Sequence, residues 1–203
     1  MQIKIIIFTL VSILNCLNVL AIENPPIKAK VNPIDETIAK KFIRNNAGHI
    51  NLKNLKSSVN IEPEQSFKIN IRSKDIYIVS AHRRTPSDDN LFTCSVLLFD
   101  QSGVIKSAFD TMGNDDEKRP WYCDYVEAMS FKDYYLDGSL KIIGLYRGTA
   151  PSSEHFILPV IMKLNFNKPS LEIDEELTSK LEDADVTTIQ GVRSYLKKHE
   201  KKD

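Results

Sequence analysis

The chain has 203 residues, of which 27 are basic, 27 are acidic and 42% are hydrophobic. This composition suits one ordinary domain with a buried core, and the balanced charge excludes a global field that would attract nucleic acid or an anionic membrane. The four histidines include no H-E-x-x-H pattern, so the sequence indicates no zinc enzyme and no cofactor.

The first 21 residues have the layout of a secretory signal peptide. Lys4 forms a short basic region, an apolar run extends from Ile5 to Leu20, and cleavage is expected after Ala21. An uncleaved membrane anchor would need about 20 apolar residues, and Asn15 and Asn18 interrupt this run. We therefore expect a periplasmic or secreted protein with no membrane association after cleavage. Lys4 is the only charged residue removed, so the mature chain would carry a net charge of −1.

The mature chain is predicted to begin with an extended segment followed by a helix. Segment 22–33 contains three prolines and no hydrophobic periodicity. Asn32 can cap a helix and Pro33 suits the first helical position. The apolar residues that follow recur at four-residue spacing, as on one face of an amphipathic helix: Ile34, Ile38 and Phe42.

From residue 66 to residue 166 the pattern changes to strands. In SFKINIR, three apolar residues (Phe67, Ile69 and Ile71) alternate with polar ones, which is typical of a half-buried strand. Six more apolar segments follow, separated by turn residues: DIYIVSAH, LFTCSVLLF, GVIKSAF, YCDYVEAMSF, SLKIIGLY and HFILPVIMKL. Pro159 in the last of them indicates an edge position or a bulge.

Two cysteines, Cys94 and Cys123, remain after the signal peptide is removed. In an oxidising compartment an isolated pair most simply forms a disulfide. Alternation places Cys94 on the strand face of Val96 and Leu98, and places Cys123 on the face of Tyr125, Met129 and Phe131. Both cysteines are therefore expected in apolar surroundings. The alternative is a cysteine nucleophile with a histidine base, but no nucleophile motif surrounds either residue.

The C-terminal region returns to helix in DEELTSKLED and TTIQGVRSYLKKHEKKD. Thr187 and Gln190 fit a capping box, and the second helix has an apolar stripe made of Ile189, Val192, Tyr195 and Leu196. The sequence thus predicts a single α+β domain over 34–203. Its centre would be an antiparallel β-sheet, sandwich or partly open barrel of about seven strands, with an N-terminal helix and C-terminal helices.

An acid-rich loop between two strands is the first candidate site. It could be an ordinary solvated loop in which Lys118 and Arg119 neutralise the acids. It could instead be a recognition loop that enters a basic cleft on a partner, with aromatic side chains beside it as anchors. The residues assigned to partner binding here are Asp110, Asn114, Asp115, Asp116, Glu117, Trp121 and Tyr122.

The segment FKDYYLDGSLKIIGLY resembles one hairpin of an integrin-type FG-GAP repeat, whose acid-rich turn binds calcium. The intermediate acids of such a turn are missing, because Tyr134, Tyr135 and Leu136 stand between Asp133 and Asp137. We therefore predict an Asp-Gly hairpin turn without a metal. Tyr134 and Tyr135 are added to the partner-binding candidates.

Two histidines keep an enzyme hypothesis open. A hydrolase could use His82 or His155 with a nearby carboxylate as its base. Arg83 and Arg84 could clamp an anion or pair with acids. No G-x-S-x-G or S-x-x-K motif supports a nucleophilic serine, so no catalytic residue is assigned.

The sequence therefore favours an exported, non-catalytic protein-binding module of the inhibitor or immunity type. Its expected partner is another protein, such as a cell-wall hydrolase or a toxin with a basic cleft. The alternatives are a secreted hydrolase and a module that binds a small molecule or calcium.

Overall fold

A computed structural model describes residues 29–47, 59–71, 73–84, 92–113, 121–131 and 139–199. The strands are β1 (Lys30–Pro33), β2 (Asn60–Ile61), β3 (Phe67–Ile71), β4 (Lys74–Arg84), β5 (Phe92–Phe99), β6 (Ile105–Met112), β7 (Tyr122–Phe131), β8 (Ser139–Thr149), β9 (His155–Asn165) and β10 (Ser170–Ile173). The helices are α1 (Glu36–Asn45), α2 (Glu175–Asp183) and α3 (Ile189–His199), and a 3₁₀ turn covers Pro63–Gln65.

The strands form two antiparallel sheets. The first sheet has the order β1-β3-β4-β5-β6, with β2 also paired to β4. The second sheet has the order β10-β9-β8-β7. Every strand of the first sheet precedes every strand of the second, so among the described strands the chain changes sheets between β6 and β7.

The two sheets pack face to face around the main core. Their inner faces bring together apolar side chains from both, including Ile78, Val96 and Leu98 of the first sheet and Ile142, Val160 and Met162 of the second. Helix α1 covers the outer face of the first sheet. Helices α2 and α3 cover the outer face of the second. The molecule is therefore a four-layer α/β/β/α sandwich, which confirms the predicted α+β class and both helical ends.

Because both faces of β5 are buried, its sequence does not alternate between apolar and polar residues. Val96, Leu97, Leu98 and Phe99 are all fully buried, with even and odd positions facing different cores. In an antiparallel sheet with one solvated face, half of these positions would be polar. By contrast, β3 alternates as predicted, with Ile69 and Ile71 in the main core.

Helix α1 begins later than the sequence suggested. Residues Asn32 and Pro33 belong to β1, which pairs with β3. The cap is Asp35, whose side chain accepts a hydrogen bond of 2.7 Å from the Thr37 amide. A similar shift occurs at α3, where the hydroxyl of Thr188, and not that of Thr187, accepts from the Gly191 amide. The apolar stripe of α3 packs as predicted. In the N-terminal stripe, Ile34 and Phe42 pack on the first sheet, but Ile38 is 41% exposed, so its predicted place on the buried face was wrong.

The β5–β6 hairpin turn anchors the far end of α1. Gly103 has a φ of 77°, and a Cβ there would lie 2.5 Å from the Phe42 ring of the helix. The Asn46 side chain donates to the Gly103 carbonyl at 2.8 Å and accepts from the Ile105 amide at 3.1 Å. Glycine is required here by both its backbone angle and the approach of the ring.

Asp100 organises the same turn. One carboxylate oxygen accepts from the Ser102 amide at 2.9 Å, the Ser102 hydroxyl at 2.6 Å and the Val104 amide at 3.0 Å. The other lies 2.9 Å from Lys106 Nζ. Burial alone would raise the pKa of Asp100, but these hydrogen bonds together outweigh it and lower the pKa to about 2.

We predict that Asp100 makes stability depend on acid pH. Its folded pKa lies below its unfolded value, so the ionised carboxylate stabilises the fold above about pH 4 and the effect is lost as the pH falls toward 2. Urea unfolding of the wild type and Asp100→Asn should show a stability difference that shrinks by roughly 2 kcal/mol over this range. A difference that stays constant down to the lowest pH at which both proteins fold would contradict this assignment.

Candidate functional site

The candidate site lies where the chain crosses from the first sheet to the second. Cys94 on β5 and Cys123 on β7 form a disulfide with a Cα–Cα distance of 5.5 Å, so the predicted pairing is confirmed. Both cysteines are at most 1% exposed. Because both sulfurs are bonded to each other, neither is a free thiol, and the cysteine-nucleophile alternative is wrong.

Gly113 and Trp121 lie next to each other close to this disulfide. The Thr93 hydroxyl donates to the Gly113 carbonyl at 2.5 Å. A Cβ on Gly113 would lie 3.2 Å from the Trp121 carbonyl oxygen, so the backbones of these two residues approach closely. Gly113 has a φ of 82°, which suits glycine at such a close approach.

Two β-bulges in β7 change which residues face the core. The pairing to β8 skips Asp124 and Glu127, so core-facing positions follow at spacings of three, three and two: Cys123, Val126, Met129 and Phe131. Tyr125 was predicted on the face of Cys123, and this was wrong. It is 41% exposed, because the first bulge turns it outward.

The first bulge places Asp124 beside Thr149 and His155. Thr149 Oγ1 lies 3.0 Å from both Asp124 oxygens and 2.9 Å from His155 Nδ1, and Asp124 Oδ2 lies 3.4 Å from the same nitrogen. A catalytic relay needs the hydroxyl and the carboxylate on opposite ring nitrogens. Here both partners contact Nδ1, so the three side chains form a polar cluster without the relay that activates a nucleophile.

His82 is held at both ring nitrogens. Its Nδ1 lies 2.6 Å from Glu62 Oε1, and Asn60 Nδ2 lies 3.1 Å from Nε2. A neutral ring with hydrogen on Nδ1 satisfies both bonds. A general base needs a ring nitrogen directed at its substrate, whereas these contacts tie β4 to β2 and to the adjoining turn.

The described part of the chain contains a groove of about 340 Å³ beside Trp121. Trp121 and Phe156 meet edge to face, with ring centroids 5.2 Å apart. Gly148 on the intervening strand makes this contact possible, because a Cβ there would lie 2.8 Å from the Phe156 ring. The groove is lined by Trp121, Ala150, Glu154, Phe156, Ile157, Leu158, Pro159, Glu182, Asp185, Val186 and Thr187.

The described lining of the groove carries negative charge. Glu154 and Asp185 are exposed and Glu182 is half-buried, and no lysine or arginine belongs to the described lining. The apolar lining comes from Trp121, Phe156 and their neighbours. The groove therefore suits a ligand that carries both apolar and basic groups.

Asp185 holds a conformation that usually takes glycine. Its amide donates to the Glu182 carbonyl at 2.9 Å, and the Val186 amide donates to the Leu181 carbonyl at 3.2 Å. This pair of bonds is the Schellman ending of α2, and Asp185 occupies its left-handed position with a φ of 49°. The helix ending thus fixes the backbone of Asp185, which lines the groove.

The structure separates the predicted partner-binding residues. Trp121 lines the groove, and Tyr122 follows it at the start of β7, paired with Thr149. Asp110 lies on β6 in the other sheet, where it accepts from Arg83 at 2.7 Å and from Ser95 at 2.6 Å. The other candidates lie outside the described residues: Asn114, Asp115, Asp116, Glu117, Tyr134 and Tyr135.

Sequence reasoning missed most of the groove. Its walls come from the β8–β9 turn, β9 and the α2–α3 connection, which are distant from Trp121 in the sequence. The one available signal was Pro159, which was predicted at an edge or bulge. It lies on the part of β9 beyond the last residue paired with β10, which confirms the edge position.

The chain matches no family model, no curated protein and no solved structure. In the described residues, His, Cys, Asp and Glu side chains form no group of three that could hold a metal ion. None of the described helices has the length and apolar character needed to cross a membrane.

We predict that replacing both cysteines with alanine lowers the free energy of unfolding by about 3.5 kcal/mol. The bridge closes a loop with a sequence separation of 29 residues, and the chain-entropy model gives this magnitude for such a loop. Urea unfolding of Cys94→Ala/Cys123→Ala measures the change. Equal stability of the oxidised wild type and the variant would be the contrary result.

We also predict that Gly148→Ala disturbs the groove. The added methyl group would meet the Phe156 ring at 2.8 Å and Met112 Sδ at 3.0 Å, and such overpacking typically costs about 1–3 kcal/mol. Trp121 is the single tryptophan, so its emission spectrum should shift as Phe156 moves. An unchanged spectrum and unchanged stability would show that the ring tolerates a side chain at position 148.

Proposed function

We propose that this protein is an exported, non-catalytic binding module of the inhibitor or immunity type. The observation that carries the proposal is the groove at Trp121, which combines aromatic side chains with an acidic rim. The N-terminal sequence and the disulfide support export, since disulfides persist in oxidising compartments.

The groove is built on rigid parts of the fold. Trp121 precedes β7 by one residue and lies two residues from the disulfide. Its ring is fixed by Phe156, which is held over Gly148. Aromatic residues fixed before binding lose little conformational freedom on association, and tryptophan is enriched at the energetic centres of interfaces.

The charge of the groove supports a basic partner. The exposed carboxylates of Glu154 and Asp185 would meet lysine or arginine on the other protein, which speeds association and excludes acidic competitors. In the sequence, Asp115, Asp116 and Glu117 precede Trp121, and Lys118 and Arg119 follow them, so the segment 114–120 adds a net charge of −1 next to Trp121. A cell-wall hydrolase or a toxin with a basic cleft has the required character.

We predict that the groove acids determine capture of the partner. The mature 22–203 protein, Glu154→Gln/Asp185→Asn and a control would be used as bait on periplasmic extract. Asparagine also tolerates the left-handed conformation of Asp185, so this variant should fold normally. The wild type should retain a basic protein, and the groove variant should retain at least tenfold less of it.

The matched control is Glu64→Gln/Glu172→Gln, which removes the same charge from exposed glutamates outside the groove. It should capture the partner as the wild type does. The proposal fails if no protein is captured, or if groove and control variants capture it equally.

A further inference from the structure

We propose that the groove binds its partner as an added β-strand, in which a short extended segment with lysine or arginine pairs with the open edge of β9. This inference rests on the proposed function and names the form of the segment that the groove takes. It follows from the backbone geometry of β9.

Strand β9 is covered on its outer edge over only half of its length. Strand β10 pairs with Met162–Asn165. At Ile161 the edge is completed by the start of α2, because the Asp174 amide donates to the Ile161 carbonyl at 2.8 Å and the Ile161 amide donates to Thr178 Oγ1 at 3.0 Å. From residue 155 to residue 160, no described strand pairs with this edge.

The orientation of the backbone amide and carbonyl of Ile161 determines the orientation of the other backbone groups of β9. The pairing of β8 with β9 is regular from Thr149↔His155 to Ser139↔Asn165, so backbone groups alternate between the two edges. Residues 155, 157 and 159 therefore present their backbone groups to the same open edge as Ile161. Pro159 has no N–H, which leaves two donors, at His155 and Ile157, and three carbonyl acceptors.

The groove runs along this edge. Four consecutive residues of β9, Phe156–Pro159, line it. Successive side chains of a strand point to opposite faces, so four consecutive residues can line one groove only if the backbone edge forms its floor. The opposite wall is the α2–α3 connection at Asp185, Val186 and Thr187.

The exposure of the β9 residues decreases along this edge, and this determines where an added strand would begin to pair. His155 is exposed, Ile157 is half-buried and Pro159 is buried. An incoming strand would therefore pair first at His155 and stop at Pro159, where the donors end. Its side chains would alternate between the Trp121 and Phe156 side and the Val186 side, with basic groups near Glu154 and Asp185.

A second copy of this chain fits the edge less well. Symmetric edge-to-edge pairing of β9 would place two prolines in the new ladder, each without a donor, and proline at an exposed edge opposes such pairing. Each copy would also bring the same acidic rim toward the other. A basic segment of a different protein avoids both penalties.

The test uses synthetic peptides with alternating lysine or arginine and apolar residues, together with the same peptides carrying glutamate. Binding is measured by Trp121 emission and by amide exchange in ¹⁵N-labelled mature protein. Basic peptides should bind at least tenfold more tightly than acidic ones, and the Ile157 amide should exchange at least tenfold more slowly in the complex.

N-methylated peptides and two protein variants test whether binding occurs by strand pairing. N-methylation of alternate peptide amides should weaken binding at least tenfold in one register and little in the other. Pro159→Ala adds a donor to the edge and should tighten binding several-fold, with Asp185→Asn as the variant that weakens it. Sedimentation of the free protein should show a monomer.

Three outcomes overturn the inference. No basic peptide binds, or peptides bind but both methylation registers are tolerated equally, or the free protein is a dimer through β9. A partner captured in the pull-down and lost on Glu154→Gln/Asp185→Asn would still support the proposed function in each of these cases. Absence of any captured partner, by contrast, would remove the function itself.

Discussion

The disulfide between Cys94 and Cys123 is the constraint on which the rest of the structure depends. Among the described strands, β1 to β6 form one sheet and β7 to β10 form the other, so the chain passes between them once. The bridge joins the sheets beside that crossing and brings Gly113 next to Trp121. The main core packs the two sheets face to face, and the bridge adds a covalent link between them two residues from Trp121, where the groove lies.

The fold could be predicted where one local pattern determined burial. The alternation of Phe67, Ile69 and Ile71 and the stripe of α3 depend only on which face meets the core, and those predictions were correct. The run Val96–Phe99 carries no such pattern, because helices cover the outer faces of both sheets. The four-layer arrangement depends on contacts between residues that are far apart in the sequence. The sequence of one strand therefore does not indicate what packs on its second face.

The bulges of β7 and the walls of the groove could not be predicted for related reasons. A bulge inserts one residue relative to a partner strand, so the outward turn of Tyr125 depends on the register with β8. The groove joins Trp121 to Phe156 and Asp185, which meet only after both sheets and α2 have formed. Trp121 was predicted from its residue type, whereas the acids opposite it lie in turns that carry no motif.

At two positions near the groove, a residue other than glycine holds a left-handed backbone conformation that glycine would hold with less strain. Two hairpin turns of the same kind, each with a left-handed third residue, close the β5–β6 and β8–β9 connections. The first uses Gly103, whereas the second uses Ser153, with a φ of 66°. Asp185 likewise occupies a helix-ending position that glycine usually fills. Asp185 lines the groove and Ser153 precedes the lining residue Glu154, whereas Ser73, with a φ of 64°, lies in the β3–β4 turn outside the lining.

Glycine at position 185 would relieve the left-handed strain and remove the charge in the same step. Residues held in such conformations cluster at binding and active sites, where the side chain is needed in one direction. The fold already uses glycine at positions 103 and 113, where a ring or a backbone approaches closely. Aspartate tolerates the left-handed backbone better than most residues, and at position 185 its carboxylate supplies charge that the proposed basic segment would meet.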